Sequence, residues 1–135
     1  MRILIVEDDF ASRKFMMNFM SAYGDCDGTV DGMEAVEAYM MALEDKQPYD
    51  LICLDVMMPV MDGYQATNVI RSCERADAKT IPIIAMTAKA FDDDRKQSKE
   101  AGMNAHISKP IEIPNLLNTI DGLCNNATKL TGVTL

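Results

Sequence analysis

The sequence predicts a single doubly wound α/β domain built on a five-stranded parallel sheet. Two observations carry that prediction. Short apolar runs such as Ile3-Leu4-Ile5-Val6 and Leu51-Ile52-Cys53-Leu54 alternate with longer segments whose apolar residues recur at helical spacing. The runs are apolar at every position, not at every second one, which marks strands covered on both faces and hence a parallel sheet. Right-handed crossovers then place helices on both sides of it. A length of 135 residues suits one domain.

The elements follow in order. Residues 3–6 form the first strand, which stops at Glu7-Asp8-Asp9; Phe15, Met16, Phe19, Met20 and Tyr23 then give a helical stripe. A weaker extended segment over residues 25–30 is interrupted by Gly28. Asp31, with Glu34 three residues on, is a helix-start signal, and Val36, Tyr39, Met40 and Leu43 form that helix's apolar face. Residues 51–54 are the third strand, ended by Asp55. A loop with Pro59 and Asp62-Gly63 leads to a helix carrying Ala66, Val69, Ile70 and Cys73. Residues 81–86 read as the fourth strand, with Pro82 near its start, where a lost N–H is tolerated. Residues 92–101 read as a helix closed by Gly102. Ala105-His106-Ile107 is the fifth strand, and Lys109-Pro110 ends it. Pro114 suits a first helical turn ahead of Leu116, Leu117, Ile120 and Leu123. Five strands and five helices in strict alternation thus occupy residues 1–124, and residues 125–135, which lack periodicity, are expected to form a flexible tail.

Composition excludes several classes of function. Lys and Arg number 13 against 21 Asp and Glu, a net charge of −8, which argues against direct nucleic-acid or anionic-membrane binding because phosphate recognition leans on clustered cations. No apolar run reaches membrane-spanning length, and the N-terminus does not have the form of a signal peptide, so the expected location is cytoplasmic. Cys26, Cys53, Cys73 and Cys124 are far apart and lack zinc spacing, which fits reduced thiols. The 12 methionines are expected mainly to fill gaps in the core.

In open parallel sheets, sites form beyond the carboxyl ends of the strands. There the chain places Glu7-Asp8 after the first strand, Asp55 after the third, Thr87 after the fourth and Lys109 after the fifth. Three converging carboxylates repel one another, and desolvation makes this worse, so positive charge must compensate. Hard oxygen donors with a lysine beside them suit Mg²⁺, with Mn²⁺ as a substitute. In that setting Asp55 can act as a nucleophile toward phosphorus, while Thr87 and Lys109 neutralise the equatorial oxygens.

With these residues the chain resembles the response regulator receiver domain family of two-component signalling, in the manner of its single-domain chemotaxis regulators. The matching pieces are Ile3-Leu4-Ile5-Val6-Glu7-Asp8-Asp9 and Leu54-Asp55-Val56-Met57-Met58-Pro59-Val60-Met61-Asp62-Gly63, then Ala85-Met86-Thr87-Ala88 and Ser108-Lys109-Pro110. Each piece alone is weak; in this order, at these strand ends, they are specific. The resemblance implies a flavodoxin-like sheet of order 2-1-3-4-5. It also implies Asp55 as phosphoacceptor, Asp8 as a direct metal ligand, Glu7 as a ligand through water, and the Met57 carbonyl completing the protein's share of the shell. Lys109 would pair with the phosphoryl group through a loop with a cis bond to Pro110, and Thr87 would move toward that group. His106 occupies the switch position where many receivers carry Tyr or Phe, and a histidine there can titrate near neutrality. Met57 and Lys89, two residues beyond Asp55 and Thr87, would modulate water access to the acyl phosphate.

Blander readings apply elsewhere. Asp9, Asp31 and Asp62 are expected to be helix caps, and Asp92-Asp93-Asp94 a solvated helix start. A calcium loop opening at Asp55 fails, because its twelfth position is Ala66 and not Glu. The expectation is therefore a signalling switch and not an enzyme. It would be loaded by a histidine kinase or phosphotransfer protein, would reset by hydrolysis, and would signal to a downstream protein through the fourth helix, fifth strand and fifth helix. It would be monomeric, or dimeric on phosphorylation. The rivals are a phosphorylation-independent interaction module and an aspartate-nucleophile phosphatase. Against the phosphatase stands Met57, where a second acid is wanted two residues after Asp55.

Overall fold

The computed structural model of the protein describes residues 1–58, 60–87 and 92–124, and within these the side chains of residues 76, 92–95 and 124 are not described. Five strands form one parallel sheet: β1 (Arg2–Val6), β2 (Asp25–Thr29), β3 (Leu51–Asp55), β4 (Ile83–Thr87) and β5 (Ala105–Ser108), in the order β2-β1-β3-β4-β5. The helices are α1 (Phe10–Met20), α2 (Gly32–Glu44), α3 (Gly63–Arg71), α4 (Ala76–Thr80), α5 (Asp92–Ala101) and α6 (Ile113–Cys124). The surface expected from the fourth helix, fifth strand and fifth helix is therefore α5, β5 and α6.

Strand residues alternate between two cores, as a side-chain period of two requires. Leu4, Val6, Ile52, Leu54, Ile83 and Ala85 point toward α2 and α3, where Ala35, Tyr39, Leu43 and Ile70 cover them. Ile3, Ile5, Leu51, Cys53, Ile84, Met86 and Ile107 point the other way, against Met16 and Met20 of α1 and Leu116 and Ile120 of α6. The continuous apolar runs thus mark the central strands β1, β3 and β4, which are covered on both faces, whereas the edge strand β2 is largely exposed.

The expected caps are present. The carboxylates of Asp9, Asp31 and Asp62 accept from the backbone N–H of Ser12, Glu34 and Gln65 at 2.8, 2.8 and 2.9 Å. The reciprocal capping box is formed by Asp62 and Gln65. Glu34 instead reaches back to the backbone N–H of Val30.

Three expectations are corrected. Among the described residues there are six helices, not five: residues 76–80 make a single turn too short to show periodicity, and Ala78 packs it into the core. That turn absorbs Ile81 as its cap, so the fourth strand starts at Ile83 and not at Ile81. Two stripe residues face solvent. Phe15 is 49% exposed because Met16 and Met20 are the positions of α1 that meet the sheet, and Val69 is 39% exposed while Thr67 is buried in its place. Thr67 can be buried because its hydroxyl donates to the Gly63 carbonyl at 2.8 Å. The methionines divide: Met16, Met20, Met86 and Met103 are buried, whereas Met33, Met41 and Met57 are exposed. Among the described residues, Cys26, Cys53 and Cys73 are not in disulfides. No helix among the described residues is long and apolar enough to cross a membrane. Pro59, Lys89, the side chains of Asp92, Asp93 and Asp94, and the expected tail over 125–135 lie outside the described residues.

Tyr39 is fully buried and its hydroxyl has no hydrogen-bond partner. Burial, with Asp77 nearby, pushes its phenol up to about 12. Because the folded value lies above that of the unfolded chain, ionisation of the unfolded phenol makes the fold less stable as pH rises above about 10 toward 12, and costs it nothing below. Tyr39→Phe is expected to leave the protein at least as stable at pH 7, since it removes an unsatisfied buried group worth about 1–3 kcal/mol. It should also flatten the fall in stability above pH 10; urea unfolding at pH 7, 10 and 11 checks both.

Candidate functional site

The parallel register sets the strand ends level. Val6 pairs with Leu54, Asp55 with Met86, and Thr87 with Ser108, so the residues that follow β1, β4 and β5 emerge on one edge beside Asp55. Glu7, Asp8 and Asp55 each offer a carboxylate oxygen there, and these oxygens all lie within 4.8 Å of one another. Glu7 and Asp55 are 1% and 4% exposed, while Asp8 faces solvent.

Lys109 is the compensating charge. Its Nζ donates to Glu7 Oε1 at 2.6 Å and to Asp55 Oδ2 at 3.2 Å. Burial alone would lower the Lys109 value, but the hydrogen bond to Glu7 and the charges of Asp55 and Glu7 outweigh it and hold the ammonium above its usual range. Glu7 is pushed up by burial, with the adjacent Asp55 adding to the effect and Lys109 opposing it. Backbone groups hold both acids. The Asp9 N–H donates to Glu7 Oε2 and the Met57 N–H to Asp55 Oδ1, each at 3.2 Å, while Arg13 binds the Glu7 carbonyl at 2.8 Å. Lys109 is placed by its own backbone: its N–H donates to the Thr87 carbonyl at 2.7 Å, and its bond to Pro110 is cis, as the resemblance implied.

The oxygen donors fit a small hard dication. Such an ion takes one or two carboxylates from the protein and keeps several waters, and a partly exposed trio leaves room for both. The same edge, with an ammonium between two anions, can receive a group bearing several negative oxygens once the local charge is balanced.

The remaining expected residues fall around this centre. Thr87 is buried at the end of β4. His106 is half-buried and pairs with Ala85, so it lies on the same face of the sheet as Ala85 and Thr87. The Met57 side chain is 65% exposed. Two features were not read from the sequence. A depression of about 640 Å³ opens beside Glu7 and Lys109, lined by Ser12, Phe15, Met86 and Ile111. In addition, Val60 has a left-handed backbone with φ 67° and is 78% exposed. A β-branched residue strongly disfavours that region, so the loop after Asp55 holds local strain. Neither was legible in the sequence: the rotation of α1 against the sheet decides the exposure of Phe15, and side-chain type alone does not reveal a positive φ at Val60.

Lys109→Met is expected to lower stability by about 3 kcal/mol at pH 7 in metal-free buffer, because it leaves Glu7 and Asp55 buried without a counter-charge. Urea unfolding measures it. Val60→Gly is expected to raise stability by up to about 1 kcal/mol, since relief of the positive φ outweighs the added freedom of the unfolded chain; thermal melts of the two proteins check the sign.

Comparison with known proteins places this edge in context. Residues 3–121 match the response regulator receiver domain. Probable histidine kinase 2 of Oryza sativa subsp. indica is 35% identical over 136 residues; the match covers 92% of this chain but only 13% of the kinase. Among solved structures, the receiver domain of a sensor histidine kinase from Pseudomonas aeruginosa, with magnesium coordinated in its active-site cleft, superposes with a TM-score of 0.78 at 32% identity, covering 91% of this chain and 96% of that one. The receiver domain of the histidine kinase CKI1 from Arabidopsis thaliana, complexed with Mg²⁺ and BeF₃⁻, has a TM-score of 0.75 at 29% identity, covering 90% and 89%. The edge of acids facing one lysine, the 2-1-3-4-5 sheet and the match over residues 3–121 agree, and the chain belongs to the response regulator receiver domain family, the signalling switches of two-component systems.

Proposed function

We propose that this domain is a phospho-acceptor switch that takes a phosphoryl group onto Asp55 from a phosphohistidine of a histidine kinase or phosphotransfer protein. The observation that carries the reading is the convergence of Glu7, Asp8 and Asp55 within 4.8 Å, with Lys109 bonded to two of them. Asp8, Asp55 and the Met57 carbonyl would hold Mg²⁺ directly and Glu7 through water, with Mn²⁺ as a substitute. The ion would supply charge neutralisation at the phosphoryl oxygens.

The chain's own residues do the rest. An Asp55 carboxylate oxygen attacks phosphorus; the O–P bond forms as the donor's N–P bond breaks, and the electron pair returns to the imidazole. Lys109 gives up Asp55 Oδ2 as a partner and pairs with the incoming phosphoryl oxygens, while its bond to Glu7 keeps the ammonium in place. The Thr87 hydroxyl donates to the phosphoryl group, and His106, on the same face of the sheet, follows it. Reset is hydrolysis: water attacks phosphorus, the O–P bond to Asp55 breaks, inorganic phosphate leaves and the carboxylate is restored. Met57, exposed two residues from Asp55, and Lys89 adjust how readily that water arrives.

The apolar depression lined by the exposed Phe15 supports a protein donor that packs against α1 while presenting its histidine to Asp55. Output is a population shift of the α5, β5 and α6 surface, read by a downstream protein. The domain is the substrate of its own phosphorylation and does not turn over like an enzyme.

Intact mass after incubation with acetyl phosphate tests the reading. The wild-type chain is expected to gain one phosphoryl group with Mg²⁺ and none with a chelator, and Asp55→Asn is expected to gain none in either case. Gain without Asp55 overturns the assignment of the acceptor; no gain in wild type favours an interaction module of the same fold.

A further inference from the structure

Arg71, the last residue of α3, makes the densest side-chain network among the described residues, and nothing in the acceptor chemistry uses it. Its Nε and one terminal nitrogen donate to the Gly102 carbonyl at 3.1 and 2.9 Å. The same terminal nitrogen donates to Asn104 Oδ1 at 2.8 Å, and the other donates to the Ala78 carbonyl at 3.0 Å. Asn104 Oδ1 also accepts from the Ile83 N–H at 2.9 Å, and the Asn104 N–H donates to the Ile83 carbonyl at 2.8 Å. One guanidinium thus ties the end of α3 to α4, to the first residue of β4 and to the turn joining α5 to β5. Gly102 is adapted to it twice: φ is 103°, and an added Cβ would come within 3.1 Å of the Arg71 side chain. A cation here also complements the carboxyl end of α5.

The other end of α3 is held as tightly to the acceptor strand. The Gly63 N–H donates to the Val56 carbonyl at 2.9 Å. A Cβ on Gly63 would lie 2.6 Å from the Asp55 carbonyl oxygen, so helix and acceptor backbone are in contact with no slack. A nine-residue helix is a stiff rod about 13 Å long, and packed contacts of this kind move as units and do not deform gradually.

We propose that α3 is a strut that conveys the state of the Asp55 backbone to the α5–β5 turn, and that Arg71 is the positioning residue at its output end. This proposal rests on the phospho-acceptor reading. It adds a second route from the site to the output surface, distinct from Thr87 and entering at Gly102 and Asn104. Arg71 touches neither acceptor nor phosphoryl group, so its loss leaves loading intact and uncouples the response.

Amide hydrogen exchange of the full chain, free and loaded with beryllium trifluoride and Mg²⁺, tests this with Arg71→Met, which keeps the aliphatic packing on Gly102 and removes every hydrogen bond. In wild type, loading is expected to change exchange at residues 102–106 by about fivefold or more, the lower range of coupling between sites. In Arg71→Met that change is expected to vanish while exchange at residues 55–58 still responds to loading. If Arg71→Met does not fold, Asn104→Ala removes the side-chain bonds of Asn104 to Arg71 and to the Ile83 N–H while leaving Arg71 on Gly102 and Ala78, and the loading response at 102–106 is expected to shrink, an unchanged response again overturning the strut. An unchanged loading response at 102–106 in the variant overturns the strut while leaving the acceptor reading standing. Failure of wild type to respond at 55–58 overturns both. A uniform rise in exchange in both states, with the loading difference preserved, makes Arg71 purely structural and also overturns the proposal.

Discussion

The structure turns on one electrostatic constraint: Glu7 and Asp55 are anions held out of water at a strand edge, and Lys109 is the cation bonded to both. Without a counter-charge, loss of water would disfavour both anions, and they would repel each other. Placing Lys109 between them demands that β5 end level with β1 and β3 although it lies two strands from β3 across the sheet. The uniform parallel register through β4 meets that demand, and the backbone bond from Lys109 to Thr87 sets the final placement. A network satisfied in this way is still poised, because a dication or a phosphoryl group changes the charge that Lys109 must balance.

Around that centre, order and strain are deliberately unequal. The central strands β1, β3 and β4 are buried almost throughout, which gives the edge a rigid base. The loop after Asp55, by contrast, carries Val60 in a left-handed conformation, exposes Met57, and then closes on Gly63 with no room for a side chain. Strain and exposure beside a buried carboxylate suit a segment able to rearrange. The distribution of methionine follows the same division, with the flexible thioether filling the core in some places and lying open on α2 and beside Asp55 in others.

Much of this was legible in the chain. Apolar runs of four bounded by acids located β1 and β3, and the polar residues just past the strands named Glu7, Asp8, Asp55, Thr87 and Lys109. The legibility has a cause: parallel strands bury both faces, so any charged residue inside or against a run stands out. Where patterning is weak, reading failed. Residues 76–80 form a helical turn too short for a period, and Phe15 and Val69 sit at the margins of their stripes, where the rotation of a helix against the sheet decides exposure.

By itself the sequence determined the fold class, the strand-end chemistry and the caps of α1, α2 and α3, because these depend on local periodicity and on residues within a few positions of one another. Only the tertiary structure decided that Lys109 bonds Glu7 across 102 residues of chain and Asp55 across 54, that Arg71 reaches Gly102 and Asn104, and that Val60 takes a positive φ. Those facts depend on where separate elements come to rest against one another, and the free energy that sets them is spread over the whole packed sheet, not written at any one position.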